Sequence, residues 1–392
     1  MERKTFKNLG KIIMALAVVI CAVVIANGVR VHADNGETVR VTNAKELTAA
    51  MKNAEVGTII LRTQVYQTIT IKANKASKNQ FLIIDAPNTI ITNKAVFANI
   101  NIINAQSYTE SASGNKISLS DAYIPGGFTV AKKKKLSSLT VYDMFGTFSV
   151  DYTLRKGAKL GELNLVYAGD YYPIESTFNK KKKTTSLDFT AYDGCERKIT
   201  VKLDKNGRVS KFTCDSNWVE CTCEYTYKYD KNGNITKMTC KDNMSGTSTY
   251  KYTYKNNFLT YMSYTGDVDS GECRLQLDDK GRVLYSEYNG KASVDGEEFT
   301  YTNIEEYEYD AKGRKSYQRW ETPDSGYFSE TVYTYDSKGF LTDEWTNNSG
   351  SEQTKTYTYS KKGDKLSETY TSEGYSDTIE YTYDELGYLI EQ

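Results

Sequence analysis

Six of the seven cysteines fall between residues 195 and 273, and they are the residues with the most evident capacity for chemistry. They are Cys195, Cys214, Cys221, Cys223, Cys240 and Cys273. An even number of cysteines in an exported chain is typical of disulfides. A turn at 231–233 would fold Cys240 back toward Cys223, and the short link 215–220 places Cys214 near Cys221. We therefore predict the disulfides Cys223–Cys240 and Cys214–Cys221.

Two other states of these cysteines stay open. Cys214, Cys221, Cys223 and Cys240 are enough for a four-thiolate zinc site, although their Cys-x-Cys spacing is not the usual Cys-x-x-Cys knuckle. Reduced thiols in an anaerobic setting are the third option.

Other catalytic chemistry finds little support in the sequence. The only histidine is His32, so a chain without its first 33 residues has no imidazole base or metal ligand. The acidic stretch 267–272 lacks the twelfth-position Glu of a calcium loop, since residue 278 is Asp, and is better interpreted as a hairpin turn. Phosphate-loop, dinucleotide and nucleophile-elbow motifs are absent from the sequence. We expect no cofactor and no enzymatic activity.

The amino terminus predicts export. Four basic residues between Arg3 and Lys11 precede an apolar stretch at 12–26, and a small residue, Ala33, precedes Asp34. This pattern is typical of a secretory signal peptide cleaved after Ala33. Its 15 apolar residues are fewer than the roughly 20 needed to cross a bilayer. The predicted protein is secreted or associated with the cell surface, with no membrane span after cleavage.

Charge and tyrosine content divide the remaining chain in two. Residues 34–190 carry 20 basic and 13 acidic residues, a net charge of +7, whereas residues 191–392 carry 25 basic and 36 acidic residues, a net of −11. Of the 33 tyrosines, 25 lie in the second region. The acidic balance of this larger region makes nucleic acid an improbable partner.

The first region combines one amphipathic helix with short strands. Thr42 is the expected N-cap of a helix over 43–54 that is stopped by Gly57. Brief β-branched strands follow, separated by Asn, Lys and Gly and without room for crossover helices. Such strands bury their apolar sides best by coiling into stacked rungs, with the helix capping the first rung.

These residues resemble the start of a pectate-lyase-like right-handed β-helix, in particular over Leu47–Leu61, Phe81–Asn88 and Val96–Ile103. The resemblance implies calcium ligands from clustered acids and an Arg or Lys base. The acids of this region are scattered, at Asp85, Asp121, Asp143, Asp151 and Asp170. A structural or binding solenoid is therefore the favoured interpretation, and a polysaccharide lyase is the alternative.

The second region is an array of repeats. Turns of the type Asp-x-x-Gly recur with glycines at 207, 233, 281, 313, 339 and 387, and the turn ending at Gly363 has Ser360 in place of Asp. A shortened copy lies at 254–257. Asp accepts a backbone hydrogen bond in such a turn and Gly takes its left-handed position, which predicts one β-hairpin per repeat. Tyrosines alternate along each entering strand and therefore share one face of the sheet. Hairpins in series should pair into one long, twisted antiparallel sheet.

The array resembles the YD repeats of the RHS family of bacterial secreted and surface proteins. The shared frame is Tyr-x-Tyr-Asp-x-x-Gly-x-Leu, seen here over Tyr333–Leu341, and the resemblance covers about 192–392. Large members of that family build a hollow β-shell around a toxin. This array has far fewer repeats, so toxin delivery is not implied.

The sequence thus predicts an all-β protein with a short N-terminal β-solenoid and one capping helix, followed by an extended antiparallel β-hairpin array. The expected boundaries are 1–33 for the signal peptide, 34–190 for the solenoid and 191–392 for the YD-like repeats. The expected function is binding of a cell-wall or extracellular glycan, or of a surface protein, and a purely structural spacer is a further alternative. Most tyrosines should be structural; the candidates for stacking on a ligand are Tyr307, Tyr309, Tyr333, Tyr335, Tyr357 and Tyr359.

Overall fold

The computed structural model describes residues 36–144, 148, 150–169, 173–217, 221–267, 269–294 and 297–392. The predicted signal peptide lies outside these ranges and stays a prediction. Within them, no helix has the length and apolar character that a membrane span requires.

The first part is a parallel β-solenoid of about six turns. Its strands form one eleven-stranded sheet with the path β1-β2-β4-β5-β6-β8-β10-β11. The elements are β1 (Glu37–Val41), α1 (Ala44–Lys52), β2 (Val56–Arg62), β3 (Gln67–Ile71), a 3₁₀ turn (Ala76–Asn79), β4 (Phe81–Asn93), β5 (Asn99–Glu110), β6 (Lys116–Tyr123), β7 (Phe128–Val130), β8 (Lys135–Asp143), β9 (Thr153–Leu154), β10 (Lys159–Tyr167) and β11 (Ile174–Glu175).

Helix α1 caps the first rung, as predicted, but its N-cap is one residue later than expected. The Asn43 side chain accepts hydrogen bonds from the backbone N–H groups of Lys45 and Glu46, at 3.0 and 3.1 Å. The Glu46 carboxylate in turn accepts from the N–H of Thr42 at 2.8 Å. This reciprocal capping pattern gives Asn43 the position that the sequence assigned to Thr42.

The core of the solenoid consists of apolar columns that run from rung to rung. The parallel register places one residue of each strand directly over its counterpart in the next strand. One column contains Leu61, Ile84, Ile102, Leu119, Val141 and Leu165, and the second contains Ile59, Leu82, Ile100, Ile117, Leu139 and Leu163. All twelve side chains are buried. Period-2 alternation of β-branched and leucine residues is therefore sufficient to define this core.

A fully buried carboxylate interrupts the apolar interior. Glu110 accepts hydrogen bonds from Asn93 Nδ2 at 3.0 Å, Asn115 Nδ2 at 3.1 Å and the Tyr108 hydroxyl at 2.9 Å. Its second oxygen accepts from the N–H of Ala112 at 2.6 Å. Burial raises the pKa of Glu110, and these four donors oppose that rise. The carboxylate thus ties two turns of the solenoid together at one corner.

The second part is a single antiparallel sheet of 17 strands in which each strand pairs with its sequence neighbour. This architecture, together with the solenoid, confirms the predicted fold class. Its strands are β12 (Thr177–Asn179), β13 (Thr184–Thr190), β14 (Glu196–Leu203), β15 (Val209–Ser216), β16 (Cys221–Tyr229), β17 (Ile235–Asp242), β18 (Gly246–Lys255), β19 (Phe258–Thr265), β20 (Asp269–Leu277), β21 (Val283–Val294), β22 (Glu297–Tyr309), β23 (Lys315–Thr322), β24 (Tyr327–Tyr335), β25 (Leu341–Asn348), β26 (Ser351–Tyr359), β27 (Lys365–Ser372) and β28 (Tyr375–Glu380). A 3₁₀ turn (Pro323–Ser325) follows β23, and β29 (Thr382–Tyr383) and β30 (Leu389–Glu391) form a separate two-stranded sheet.

The repeat turns share one backbone pattern, in which the N–H of the turn glycine donates to the carbonyl of the residue three positions earlier. In the turn at 310–314, Asp310 Oδ1 accepts from the N–H groups of Lys312 and Arg314, each at 2.9 Å, and Gly313 has φ +86°. The register shifts by one residue between Glu308 and Tyr309, which is a β-bulge. The shortened copy instead forms a tight turn with Asn256 and Asn257 both at positive φ.

The two parts share one hydrophobic core. Leu187, Ile199 and Val201 of the antiparallel sheet belong to the same buried cluster as the solenoid columns, and Phe212 and Tyr227 pack against it. The parallel sheet ends at β11 and the antiparallel sheet begins at β12. The boundary expected at residue 190 stays a prediction.

We expect Glu110→Ala to lower the free energy of unfolding by on the order of 3 kcal/mol, because it leaves several buried donors without an acceptor. Urea denaturation of residues 34–392 measures this change. Glu55→Ala is the matched control, since Glu55 is an exposed carboxylate at the end of the helix region. A loss no larger than that of the control would contradict the stabilising role assigned to Glu110.

Candidate functional site

The candidate ligand-stacking tyrosines lie on one face of the repeat sheet, here called the tyrosine face. Tyr307, Tyr309, Tyr333, Tyr335, Tyr357 and Tyr359 are all half-buried there. The residues between them, such as Glu308, Thr334 and Thr358, point to the opposite face and are exposed. The predicted period-2 alternation therefore places the six tyrosines together, but in a less open position than an outer stacking surface would have.

In three repeats the tyrosine next to the turn aspartate is tied to the preceding repeat. The hydroxyl of Tyr309 donates to the Val283 carbonyl at 3.1 Å, and that of Tyr335 donates to the Lys315 carbonyl at 3.0 Å. Tyr229 makes the same bond to Val209 at 2.7 Å. Burial raises the pKa of Tyr335 to about 12. These tyrosines hold adjacent repeats in register.

An arginine one residue after the turn glycine adds a second link between repeats. Arg314 pairs with Asp310 of its own turn at 2.6 Å and lies 4.2 Å from the ring centroid of Tyr335 in the next repeat. Arg208 and Arg282 make the same two contacts, with Tyr229 at 4.5 Å and Tyr309 at 4.2 Å. We call this arrangement the inter-repeat bridge. It combines a charge-assisted hydrogen bond with a cation–π contact.

The first tyrosine of each pair has different neighbours. Lys315 Nζ lies 5.3 Å from the ring centroid of Tyr307 and 5.4 Å from that of Tyr333. Lys365 Nζ occupies the same position between Tyr357, at 5.6 Å, and Tyr381, at 4.8 Å. Burial lowers the pKa of Lys315. The tyrosine face thus carries two ammonium groups, each held between two aromatic rings.

Carboxylates complete this surface. Glu344 is directly opposite Tyr333 in the register and also lies opposite Lys355 on the other side. Glu368 is opposite Tyr357 and pairs with Lys365 at 2.7 Å. Burial raises the pKa of Tyr357, and the charges of Glu344 and Glu368 raise it further. Rings, ammonium groups and carboxylates alternate along the strip and offer stacking and hydrogen bonds to a polar ligand.

The solenoid holds the array at both ends through the repeat turns. Near the start of the array, the Tyr152 hydroxyl donates to the Gly207 carbonyl at 2.5 Å, and Arg155 donates to Asn234 Oδ1 at 2.6 Å. Toward its end, Arg40 pairs with Asp364 at 2.6 Å. Between these, the Tyr66 hydroxyl donates to the Gly313 carbonyl at 2.9 Å.

These contacts require the array to bow. Twelve strand spacings separate the turn at Gly207 from the turn at Gly363, a path of about 58 Å along the sheet edge. The N–H of Leu160 in β10 also donates to the Asn206 carbonyl of the first of these turns, at 3.0 Å. This contact and that of Arg40 in β1 are six spacings apart on the solenoid, or about 29 Å. Because Phe212 and Tyr227 of the tyrosine face pack against the solenoid core, this face lines the inside of the arc.

The predicted disulfide between Cys223 and Cys240 is absent from the structure. Cys195, Cys214, Cys223, Cys240 and Cys273 carry thiols, and no disulfide joins cysteines whose side chains are described. The register places Cys214 directly opposite Cys223, whereas Asp242 rather than Cys240 stands opposite Cys223. The Cys223 thiol donates to Asp242 Oδ2 at 3.0 Å. The side chain of Cys221 lies outside the described atoms, so its predicted link to Cys214 stays a prediction.

The acids of the solenoid do not gather into a metal site. Asp85 pairs with Arg62 at 3.0 Å, and Asp170 lies outside the described residues. Asp121 and Asp143 are neighbours, and burial together with the Asp143 charge raises the pKa of Asp121 to about 6. Among the described residues, no group of three or more His, Cys, Asp or Glu side chains is arranged to hold a metal ion. In the acidic stretch at 267–272, Asp267 and Asp269 accept hydrogen bonds from Thr247 and Tyr264.

Sequence reasoning missed the arginine and lysine positions. The residue after the turn glycine is Arg208, Arg282 or Arg314 in three repeats, and the next position is apolar in most repeats but is Lys315 or Lys365 in two. Aligning the repeats on these two positions, rather than on the tyrosines and glycines alone, would have shown both patterns.

Comparison with known proteins gives no family. No protein family model matches the chain, and no curated protein matches it. Solved structures with some similarity include a porin-like protein from Bacteroides uniformis ATCC 8492, with 14% identity, 55% of this chain and 93% of that chain covered, and a TM-score of 0.25.

Two toxin structures are also similar in part. The Photorhabdus luminescens Tc holotoxin pore has 12% identity over 56% of this chain and 18% of that chain, with a TM-score of 0.16. The crystal structure of TcdB2-TccC3-TEV has 13% identity over 52% of this chain and 16% of that chain, with the same TM-score. The chain spans less than a fifth of either toxin chain, and scores this low leave its function to be inferred from its own residues.

We expect Arg314→Ala to destabilise the protein by on the order of 2 kcal/mol, because it removes both contacts of one inter-repeat bridge. Arg274→Ala is the control: Arg274 pairs with Glu272 at 2.6 Å, but its side chain is 60% exposed, and such pairs contribute about 0.5 kcal/mol. Urea denaturation measures both variants. Equal losses would show that the bridge adds nothing beyond an exposed ion pair.

Mild oxidation of residues 34–392 should link Cys214 to Cys223, because directly opposed residues in an antiparallel pair have Cβ atoms close enough for a disulfide after a small adjustment. Proteolysis without reduction, followed by mass spectrometry of the linked peptides, identifies the pair. Recovery of Cys223 linked to Cys240 would instead restore the pairing predicted from the sequence.

Proposed function

We propose that the protein is a secreted, non-catalytic bacterial surface or cell-wall protein that binds a glycan or a protein partner through its tyrosine face. The observation that carries this proposal is the strip of Tyr307, Tyr333 and Tyr357 with its interposed lysines. The hydroxyl of Tyr307 donates to Glu305 and that of Tyr333 donates to Gln318, so their partners are side chains that differ between repeats. The hydroxyls of Tyr309 and Tyr335 instead donate to backbone carbonyls of the preceding repeat.

The chemistry of the strip suits a polar polymer. Aromatic rings offer flat apolar faces to sugar rings or side chains, and their polar ends remain wet. Lys315 donates to Gln318 at 2.9 Å, and the Tyr307 hydroxyl donates to Glu305 at 2.7 Å. Donors and acceptors are therefore already positioned beside the rings, which lowers the entropy cost of binding.

The signal-like amino terminus supports export, and the net charge of −11 over residues 191–392 argues against a nucleic-acid partner. A regular repeat spacing also suits a polymer, since it presents similar groups at successive hairpins. A purely structural spacer would not require lysines at positions that are apolar in the other repeats.

A polysaccharide lyase on the solenoid is the second candidate. It is favoured by the neighbouring carboxylates Asp121 and Asp143, of which Asp121 has a raised pKa. Release of an unsaturated uronate product from pectin in the presence of calcium would establish it.

Binding to a glycan array and to washed bacterial wall sacculi tests the proposed function with residues 34–392 intact. We expect saturable binding that falls at least tenfold, or about 1.4 kcal/mol, when Tyr333 and Tyr357 are both changed to Leu. The control is Val332→Ser, on the opposite face of the same strand and 40% exposed. Both variants should keep the β-sheet circular-dichroism spectrum.

Absence of binding by the unaltered protein to either target would remove the glycan hypothesis. Loss of binding in the Val332→Ser control alone would move the site to the outer face.

A further inference from the structure

A cavity of about 380 Å³ lies where the solenoid meets the first hairpins of the array. Its solenoid side includes Phe128, Phe148 and Tyr152, and its array side includes Phe212 and Tyr227. The volume falls in the range of about 300–1,000 Å³ that is common for ligand sites. The tyrosine strip proposed to bind polymer starts further along the array, so the cavity is a separate site.

The walls of the cavity are fixed by contacts on their far sides. Phe128 stacks on Tyr108 with centroids 5.5 Å apart, and Phe148 meets Phe189 edge-on at 5.9 Å. The Tyr152 hydroxyl is held by the Gly207 carbonyl at 2.5 Å. A ligand would therefore enter a site whose aromatic groups are already in place, at a low cost in side-chain entropy.

The described residues that line the cavity carry negative charge and no positive charge. Asp151 is the only charged residue among the described residues that line it. Burial raises the pKa of Tyr227 to about 12, and the charge of Asp151 contributes to that rise, as it does for Tyr229. The field of the carboxylate thus reaches the aromatic wall.

Two arginines close in sequence to lining residues make contacts with other groups. Arg208 pairs with Asp204 at 2.6 Å and lies over the Tyr229 ring. Arg155 donates to Asn234 Oδ1 at 2.6 Å. Neither is among the lining residues, so the aromatic rings and the carboxylate set the electrostatics of the site.

We propose that this cavity binds a small organic cation that carries a methylated ammonium group. Aromatic ring faces attract such cations, and the attraction is largest where water is excluded. A methylated ammonium has no strong hydration shell to lose, unlike a primary ammonium. Asp151 at the rim supplies the opposite charge.

Isothermal titration calorimetry of residues 34–392 with choline, and with its neutral isostere 3,3-dimethylbutan-1-ol, tests the proposal. The two probes have the same shape and differ in charge. We expect choline to bind saturably and the isostere to bind at least tenfold more weakly. Asp151→Asn should weaken choline binding several-fold and leave the isostere unchanged, and because Asp151 is exposed this variant should fold normally.

Tyr333→Leu is the matched control, because it removes a ring from the same sheet face but far from the cavity. It should leave choline binding unchanged even if it weakens polymer binding, so failure of the polymer proposal and failure of this one are distinguishable. Equal affinity for both probes, no saturable choline binding, or an unaffected Asp151→Asn variant would each overturn the proposal.

Discussion

The one-residue bulge beside each Asp-x-x-Gly turn is the constraint on which the repeat array depends. A regular hairpin would send consecutive residues to opposite faces. The extra residue of the bulge beside the turn at 310–314 is Ser316, because Tyr309 pairs with Lys315 and Glu308 pairs with Tyr317. Lys315 therefore reaches the rings of the tyrosine face, beside Arg314 of the turn. One side chain can then bridge to the next repeat while the other lies between two tyrosines. Without the bulge, Lys315 and Tyr317 would lie on the same face of the sheet, since they are two residues apart.

The residue after the turn glycine decides what each turn is attached to. Arginine attaches its turn to the tyrosine of the next repeat, and Phe340 does the same by stacking on Tyr359 with ring centroids 4.7 Å apart. Where the residue is Asn234 or Asp364, its side chain instead binds an arginine of the solenoid. Arg155 donates to Asn234, and Arg40 pairs with Asp364. At this one position, therefore, the side chain contacts the next repeat in some turns and the solenoid in others. Because the anchored turns lie near the two ends of the array, the longer sheet edge is held against a shorter solenoid and must bow.

Local patterns predicted the elements well, because each element depends on short-range chemistry. Period-2 apolar strands, the turn aspartates and the positive-φ glycines all act within a few residues. The contacts that hold the two parts together were beyond such patterns, since Arg40 and Asp364 are 324 positions apart. The predicted Cys223–Cys240 pair is absent for a related reason. The chain distances around Cys223 are compatible with more than one partner. In the strand register Cys214 is directly opposite Cys223, whereas Cys240 lies two residues away from the residue opposite Cys223 on the other side.

The tyrosine pairs show how a repeat can be structural and still leave positions for recognition. The hydroxyl of the tyrosine next to the turn, as in Tyr309 and Tyr335, donates to a backbone carbonyl of the preceding repeat. A change at this tyrosine therefore affects the register of the array. The tyrosine two residues earlier has no such fixed partner along the array: Tyr307 bonds Glu305, whereas Tyr333 bonds Gln318. Its surroundings therefore differ from repeat to repeat while the backbone does not. Under the proposed function, these are the positions at which ligand specificity would differ, because the bridges and bulges that define the fold use other residues.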